Sequence, residues 1–588
     1  MCGISGKVYF SRSEIKKSDL ALMTSKLSHR GPDATGYFIN EKRNLGFGHN
    51  RLSIIDLSKK GNQPMSYLDR YTITFNGEIY NYQSLREELI QQGYKFNSKT
   101  DTEVILALYS KYKEKCLNFL RGMFAFAIYD NHDETLFLAR DRVGKKPFKY
   151  YFDENVFIFA SELKAILTQS EVKKEIDNIA VQKYFLYGYV PSPLTGFKNI
   201  KKLEPGHYIK INIKRHEFVN KKYWQVSFKE KLKLSEKEWS KKILETLSES
   251  TKLRMISDVP IGAFLSGGVD SSAVVAMMAL NSKEKIKTFT VTYKNKKWSE
   301  EKYANLIVKK YKTDHTEILA KPEDFSKLSE IALAYEEPFS DNSGLVSFMV
   351  CNEANKHVKV VLNGDGGDEL FAGYPNRYNR LKRDVDLNFL INIINKFPFR
   401  TGVKKFDNFI KKSKQPIYQK FAGYNRIFET SDYKLEKNIF DNFRGEDLKD
   451  AGLMFDQKYF LPDLLLTKMD IATMYHSIEA RSPILDHNMI ELANKIPFEL
   501  KVKGGESKYI FKKALEPIVP KENLYREKMG FTISLEDWFE GDLSKYFESI
   551  VNKKSQFNNF IDLSKIDLND HHKKWNILMF ELWLKSYF

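Results

Sequence analysis

Along the first part of the chain the apolar residues come in short runs. Tyr71–Phe75, Phe124–Tyr129, Thr135–Ala139, Lys149–Tyr151 and Val156–Ala160 have the length and the β-branched and aromatic content of strands. Helical spacing interrupts them at about Gln83–Gln92, where Leu85 and Leu89 make one apolar stripe, and at about Glu103–Phe119. Short strands with few helices predict packed antiparallel sheets, an α+β unit. Proline and glycine then cluster at Val190–Pro193 and Leu203–Gly206, and a charged stretch, Lys229–Lys242, leads into a helix. From Asp258 the pattern changes to alternation. A strand at Lys285–Tyr293 precedes a helix at Ser299–Lys310, a strand at His315–Leu319 precedes a helix at Pro322–Ala334, and a helix at Gly344–Asn355 leads to a strand at Val358–Leu362. Repeated βα units predict a parallel sheet covered on both faces. The pattern therefore divides the chain into an α+β domain over 2–210, a linker over 211–235 anchored by Tyr223-Trp224, and an α/β domain over 236–588.

Composition supports two cores and narrows the chemistry. A chain of 588 residues exceeds what one core holds, and 42% hydrophobic with 14% aromatic content supplies more than one. The formal charge of +18, from 94 lysines and arginines against 76 aspartates and glutamates, would suit a nucleic-acid surface. The lysines are scattered in pairs such as Lys16-Lys17 and Lys309-Lys310, however, with no long basic block interleaved with aromatics. The excess reads as a lysine-rich solvated face, with a smaller share drawing anionic substrates inward, and no nucleic-acid partner is expected. Three cysteines, Cys2, Cys116 and Cys351, argue against a disulfide framework and for a reducing compartment. With no signal-peptide pattern and no run of ~18 apolar residues, a cytoplasmic protein without a membrane partner is expected.

Two glycine-rich turns carry the chemistry of the second half. Leu265-Ser-Gly-Gly-Val-Asp-Ser-Ser272 lies between an apolar strand-like run and a helical run. Gly267 and Gly268 let the backbone approach an anion, and the Ser266, Ser271 and Ser272 hydroxyls can donate to phosphate at the positive end of a helix. Asp270 beside them suits Mg²⁺ better than phosphate. The lysine that a P-loop requires is missing. The second turn, Asn363-Gly-Asp-Gly-Gly-Asp-Glu369, follows another predicted strand. Its acidic residues among glycines are hard to explain as packing and point to the same metal. In the first half, removal of Met1 would leave Cys2 with a thiol and a free α-amine on one residue, a nucleophile with its own base near neutral pH. Asn76 and Gly77 offer adjacent donors on a turn after the strand Tyr71–Phe75, which suits an oxyanion hole; a plain Asn-Gly hairpin turn competes with that reading.

Taken together these segments resemble known families. SGGVDSS is similar to the pyrophosphate-binding loop of the ATP pyrophosphatases. Cys2 with Ser28–Ala34, Gly48–Asp56, Phe75–Asn81 and Ser98–Glu103 resembles the class II glutamine amidotransferases. Lys468-Met-Asp470, Ile478–His487, Gly505–Ile510 and Lys528-Met-Gly-Phe531 resemble the synthetase half of the glutamine-hydrolysing asparagine synthetases, in that family's order. The resemblance implies an N-terminal-nucleophile α-β-β-α sandwich followed by a parallel-sheet ATP-pyrophosphatase domain, with glutamine, aspartate and ATP as substrates, Mg²⁺ as cofactor, and a homodimer. It implies Cys2, Asn76, Gly77, Asp365 and Lys508 in catalysis. Glutamine would be held by Arg51, Leu52, Ser53, Ile54, Ile55, Asn76, Gly77, Glu78 and Asp101, with Asp101 equally open to reading as a helix cap. ATP would lie on Leu265, Ser266, Gly267, Gly268, Asp270, Ser271, Ser272, Val291, Asn363 and Gly364, and the metal on Asp270 and Asp368. Arg30 and Asp33 read mainly as scaffold. Asp365 stands where many of the family carry the longer Glu, and the basic segment 376–452 matches no motif. The pattern is also similar to amidotransferases that act on sugar uronates, so the acceptor stays open at this point.

Overall fold

The computed structural model describes residues 2–293, 299–320, 325–394, 415–423, 426–428, 432–528, 534–561 and 566–588, without the side chains of 326 and 388–394. The start of the helix expected at Pro322, the Met529-Gly530-Phe531 part of one motif and the middle of segment 376–452 lie outside the described residues.

The first domain holds β1 (Gly3–Tyr9), β2 (Ala34–Ile39), β3 (Leu45–Arg51), β4 (Met65–Tyr67), β5 (Tyr71–Ile79), β6 (Gly122–Asp130), β7 (Thr135–Arg140), β8 (Lys149–Phe152), β9 (Val156–Ala160), β10 (Ile200–Lys202), β11 (His207–Asn212) and β12 (Glu217–Lys222). They form two six-stranded antiparallel sheets, ordered β10-β8-β9-β1-β3-β2 and β12-β11-β7-β6-β5-β4. The sequence of β6 shows why the sheets stack. Its residues alternate between the two faces of the sheet. Ala125 and Ala127 pack with Ile4, Val8 and Phe47 of the facing sheet, while Phe124, Phe126 and Ile128 join Val104, Ile105 and Leu108 on the outer, helix-covered side. Small residues inside let the sheets approach, and large ones outside hold the helices. Helix Lys17–Ser25 covers β1 and β3, and helix Asp101–Tyr112 covers β5, which completes the expected α-β-β-α layering.

Two expectations need correction. β5 continues through Asn76 and Gly77 to Ile79, paired with β6 along its whole length, so these residues lie inside a strand and not on a turn. Residues 211–222 complete β11 and form β12 at the edge of the second sheet, so they belong to the first domain and the connection begins at Tyr223. Tyr223 Oη donates to Arg140 O at 2.9 Å, and Trp224 Nε1 donates to Glu491 at 3.1 Å, which ties the connection to both sides.

The second domain opens with helix Glu236–Arg254, started by a Ser235–Glu238 capping box and buried along Trp239, Ile243 and Leu247. A five-stranded parallel sheet follows: β13 (Ile261–Phe264), β14 (Lys287–Thr292), β15 (Asp314–Leu319), β16 (Val360–Leu362) and β17 (Glu479–Arg481), ordered β15-β14-β13-β16-β17. The strand order reverses at β13, and sheets of this kind bind ligands beyond the carboxyl ends of the strands at such a point. The domains interlock away from the sheet as well. Helix Asn178–Tyr187 packs on the helix His571–Tyr587, with Tyr184 Oη donating to Asn576 O at 2.6 Å and the rings of Phe197 and Trp583 in edge contact.

Candidate active sites

The first site gathers at β1 and β5. Cys2 is buried, and burial pushes its thiol pKa up, so the thiol needs a base before it can attack. Cys2 N donates to Asn76 Oδ1 at 3.0 Å. That fixes the amide's orientation and leaves Asn76 Nδ2 buried without a hydrogen-bond partner among the described residues. An orphaned amide donor beside a nucleophile is costly to bury unless a ligand oxygen completes it. Phe75 N is taken by Gln63 Oε1 at 2.7 Å and Ile79 N by Asp101 Oδ2 at 2.8 Å. The Gly77 N–H lies between them on the same strand edge, with no side-chain acceptor among the described residues. His49, whose imidazole burial holds neutral with a pKa of about 3, donates to Phe75 O at 3.2 Å and fixes the strand just before Asn76.

Gly77 is required sterically. Its φ is +151°, and a Cβ there would stand 2.1 Å from Met123 O. Gly77→Ala is expected to lower stability by about 2 kcal/mol and, if the strand shifts to relieve the clash and carries the Gly77 N–H out of line with a substrate oxyanion, glutamine hydrolysis by about 10²-fold. Thermal melting and glutaminase assays check both effects, with activity on free ammonia as the control for an intact second domain.

The remaining residues expected to hold glutamine divide. Arg51 is not a free fork: its terminal nitrogens donate to Ser58 O (2.8 Å), Asn62 Oδ1 (2.9 Å) and Asp56 O, so it shapes the Ile54–Asn62 loop. That loop is fixed from both domains, Ser53 N by Asp33 at 2.7 Å and Asp258 N donating to Ile54 O at 3.0 Å, while Leu52 offers its backbone toward Cys2. Asp101 does not cap its helix; Thr100 does, accepting from Glu103 N. Burial pushes the Asp101 carboxyl up to about 7. Arg30 is more than scaffold. Fully buried, it donates to Cys2 O at 3.2 Å, to Glu162 at 2.7 Å and to Asp470 of the second domain at 2.8 Å.

The second site is a cavity of about 1250 Å³ at the ends of β13, β14 and β16. Of the residues expected to hold ATP, Leu265, Ser266, Gly268, Asp270, Ser271, Val291, Asn363 and Gly364 line it. Gly267 and Ser272 do not. Gly267 turns at φ +71° against Tyr303 and Ala304, and Ser272 is buried in the helix Val269–Asn281. The two glycine-rich turns touch, since a Cβ on Gly367 would stand 2.0 Å from Asp270 Oδ1. Asp270 and Asp368 converge on Lys508, whose Nζ lies 2.5 and 2.7 Å from them; Lys528 reaches Asp368 at 2.8 Å. Burial opposes ionisation of Asp368, but the two lysines outweigh it and hold its pKa low, whereas burial leaves that of Asp270 raised. Asp270 Oδ1 is buried with no hydrogen-bond partner among the described residues, so the pair fits a divalent cation as a further ligand. Asp365 accepts from Asn363 Nδ2 at 2.7 Å, and burial pushes its carboxyl up to about 6.

Several cavity residues escaped the sequence reading. Arg526 pairs with Glu300 next to Gly268, and Lys468 joins Asp341 (3.1 Å) and Ser343 (2.7 Å) on the side of Asp365. Lys468 was visible inside the Lys468-Met-Asp470 motif, but nothing in the sequence gave it a partner.

An asparagine synthase family model matches residues 242–585, and a glutamine amidotransferase domain model matches residues 1–224. The chain belongs to the asparagine synthase family. It is 34% identical to asparagine synthetase [glutamine-hydrolyzing] 1 of Bacillus subtilis, over 99% of this chain and 96% of that one. It is 38% identical to a putative asparagine synthetase [glutamine-hydrolyzing] 2 of Methanocaldococcus jannaschii, over 81% of this chain and 98% of that one. A fungal relative named amidase chry2, from Gibberella zeae, is 26% identical over 96% of this chain and 93% of its own. As a member of the asparagine synthase family the chain is a ligase with its own glutamine amidotransferase domain. The matched ranges leave 225–241 between them, within the connection that starts at Tyr223.

Proposed function

We propose that this asparagine synthase family member makes L-asparagine from L-aspartate, glutamine and ATP through a β-aspartyl-AMP intermediate, releasing glutamate, AMP and pyrophosphate. The observation that carries the reading is the orphaned Asn76 amide beside Cys2 in a chain whose other site joins SGGVDSS to Lys508. Once Met1 is removed, the Cys2 α-amine takes the thiol proton and the sulfur adds to the glutamine side-chain carbonyl. Asn76 Nδ2 and Gly77 N–H receive the oxyanion. Collapse releases ammonia and leaves a thioester, which water hydrolyses to glutamate. In the cavity the acceptor carboxylate attacks the α-phosphorus of ATP, and Lys508 offsets charge building on the α-phosphate oxygens. Asp270 and Asp368 would hold Mg²⁺, which supplies neutralising charge for the leaving pyrophosphate. Ammonia then adds to the acyl carbon and AMP leaves, with the displaced proton passing to Asp365.

Ammonium is not nucleophilic, so ammonia has to cross between the sites without meeting bulk water. A cavity of about 20 Å³, room for about one small molecule, is lined by Lys145, Phe148, Leu466, Thr467, Asp470 and Ile471 between the domains and supports such a route. The second reading keeps the chemistry and changes the acceptor to a larger carboxylate such as a nucleotide-sugar uronate. The size of the main cavity favours keeping it in view, because small-ligand sites usually span about 300–1,000 Å³. Product analysis decides. Purified protein given glutamine, ATP, Mg²⁺ and L-aspartate is expected to form asparagine, glutamate, AMP and pyrophosphate in step. Glutamate without aspartate-dependent AMP would sink the asparagine reading and leave the uronate one.

A further inference from the structure

A segment late in the chain closes over the SGGVDSS turn. Asn523, in the short helix Lys521–Leu524, donates from Nδ2 to Gly267 O at 2.9 Å and to Tyr303 O at 2.8 Å. Three residues later Arg526 reaches the same turn, and a Cβ on Gly268 would stand 3.7 Å from Arg526 Nη2. Lys528 reaches the second glycine-rich turn. Its Nζ donates to Gly373 O at 3.0 Å, lies 2.8 Å from Asp368 and stands 4.0 Å from the centre of the Tyr374 ring. The segment 523–528 thus bridges both turns and brings two cations to the cavity they share.

Arg526 is held in the manner of a recognition group. Its side chain is only 8% exposed. The guanidinium lies 4.4 Å from the centre of the Tyr303 ring, and Nη2 donates to Glu300, the residue before the helix Glu301–Tyr311. Nη1 is buried with no hydrogen-bond partner among the described residues. An aromatic face and one carboxylate therefore fix the plane of the fork and leave part of it unused. A buried donor without an acceptor is costly. Glu300 is also a reluctant counter-ion, since burial pushes its carboxyl up even with Arg526 beside it. The turn offers an anion donors of its own: the helix Val269–Asn281 begins at Gly268, and no side chain caps its first amides.

We propose that Arg526 is a phosphate-binding residue of the synthetase site, taking the β- and γ-phosphates of ATP and the pyrophosphate that leaves. Resting on the proposed adenylation, this role divides the phosphate chain between two cations. Lys508 meets the turn at Asp270 and serves the α-phosphate, whereas Arg526 meets it at Gly268 and serves the leaving end. As the acceptor carboxylate oxygen bonds to the α-phosphorus, the bond from that phosphorus to the α,β-bridging oxygen breaks. Its electron pair passes to pyrophosphate. A phosphate oxygen replaces Glu300 on Nη2, a second one completes Nη1, and the planar fork matches that pair of acceptors. The charge that pyrophosphate gains then meets donors already in place. A clamp that only fastened the segment 523–528 to the helix Glu301–Tyr311 would serve every adenine nucleotide alike.

The test compares Arg526→Met, Arg526→Lys and the Arg526→Met/Glu300→Gln pair in the full chain. Each is titrated calorimetrically with ATP, AMP and inorganic pyrophosphate in the presence of Mg²⁺, and glutamine hydrolysis serves as the control for the first domain. The double variant removes the charge without leaving Glu300 buried and unpaired, so the comparison holds even if Arg526→Met does not fold. Loss of the fork is expected to weaken pyrophosphate and ATP about 30-fold and to leave AMP, which lacks the β- and γ-phosphates, within about threefold of the parent. Pyrophosphate release in the ammonia-dependent reaction should fall by about 10²-fold. Arg526→Lys keeps a charge without the fork and should restore pyrophosphate binding only in part. Equal weakening of AMP and pyrophosphate would reduce Arg526 to a clamp and overturn the proposal, as would pyrophosphate binding within about threefold of the parent in the double variant. A parent protein that cleaves ATP to ADP and phosphate would sink the adenylation reading itself, a separate result, because the binding comparison uses no turnover.

Discussion

Cys2→Ala is expected to abolish glutamine-dependent amidation and to leave ammonia-dependent amidation within about threefold of the parent. The loss is complete because the thiol forms the only covalent bond to the substrate in the first site, and alanine offers nothing that can attack. The retention follows from geometry. Cys2 meets the second domain through its carbonyl, which Arg30 holds while donating to Asp470, and alanine keeps that carbonyl. The small cost of removing one buried sulfur is local to β1. Parallel assays with glutamine and with ammonium salts at alkaline pH make the comparison. Equal loss of both activities would break the two-site scheme.

Lys508→Met should have the opposite signature. Adenylation, read as pyrophosphate release with saturating ammonia, is expected to fall by about 10³-fold, while glutamine hydrolysis persists. Lys508 sits in the left-handed region at φ +56°, at the start of the helix Tyr509–Leu515 and after the turn formed by Gly504 and Gly505. That strained placement aims a buried ammonium at Asp270 and Asp368, where the nucleotide phosphates converge in the proposed reaction. Its pKa is held above the ordinary lysine range, because Asp270 and Asp368 outweigh burial, so the charge is present at any working pH. Lys508→Arg keeps the charge but not the compact ammonium and should recover little, which separates a need for geometry from a need for charge. Pyrophosphate release above about a tenth of the parent in Lys508→Met would remove the lysine from the transition state.

How much of this was legible depends on how local each feature is. The βα alternation, the glycine turns at Gly267-Gly268 and Gly364–Gly367, and the cysteine at position 2 are written in adjacent residues; the structure has the parallel sheet, brings the two turns together, lines the cavity with Gly268 and Gly364 but not Gly267, and buries Cys2 beside Asn76. Asn76-Gly77 misled because Asn-Gly is a strong hairpin signal. What overrides it is tertiary: β6 pairs with β5 through Ile79, and Gln63 and Asp101 cap the exposed strand edge. Arg51 was expected to be free for a carboxylate, but the carbonyls that occupy it belong to a loop whose path no periodicity predicts. The linker was set too early because β12 is an exposed edge strand with the polar sequence of a connection. That Arg481 comes within 3.4 Å of Glu78 and Asp470 pairs with Arg30 was invisible, since nothing in a sequence says which distant segment will fold back against the first domain.

The Arg30–Asp470 pair joins residues 440 positions apart. Translation delivers Cys2 and the Asn76 and Gly77 donors of the proposed oxyanion site long before the carboxylate that braces Arg30. A nascent chain would thus carry the warhead of a glutaminase without its final support, and would spend no amide nitrogen until the consumer of that nitrogen has been made and docked. Assembly order would then act as a safety catch that needs no inhibitor, and any rearrangement of the gene that separated the halves would have to replace it.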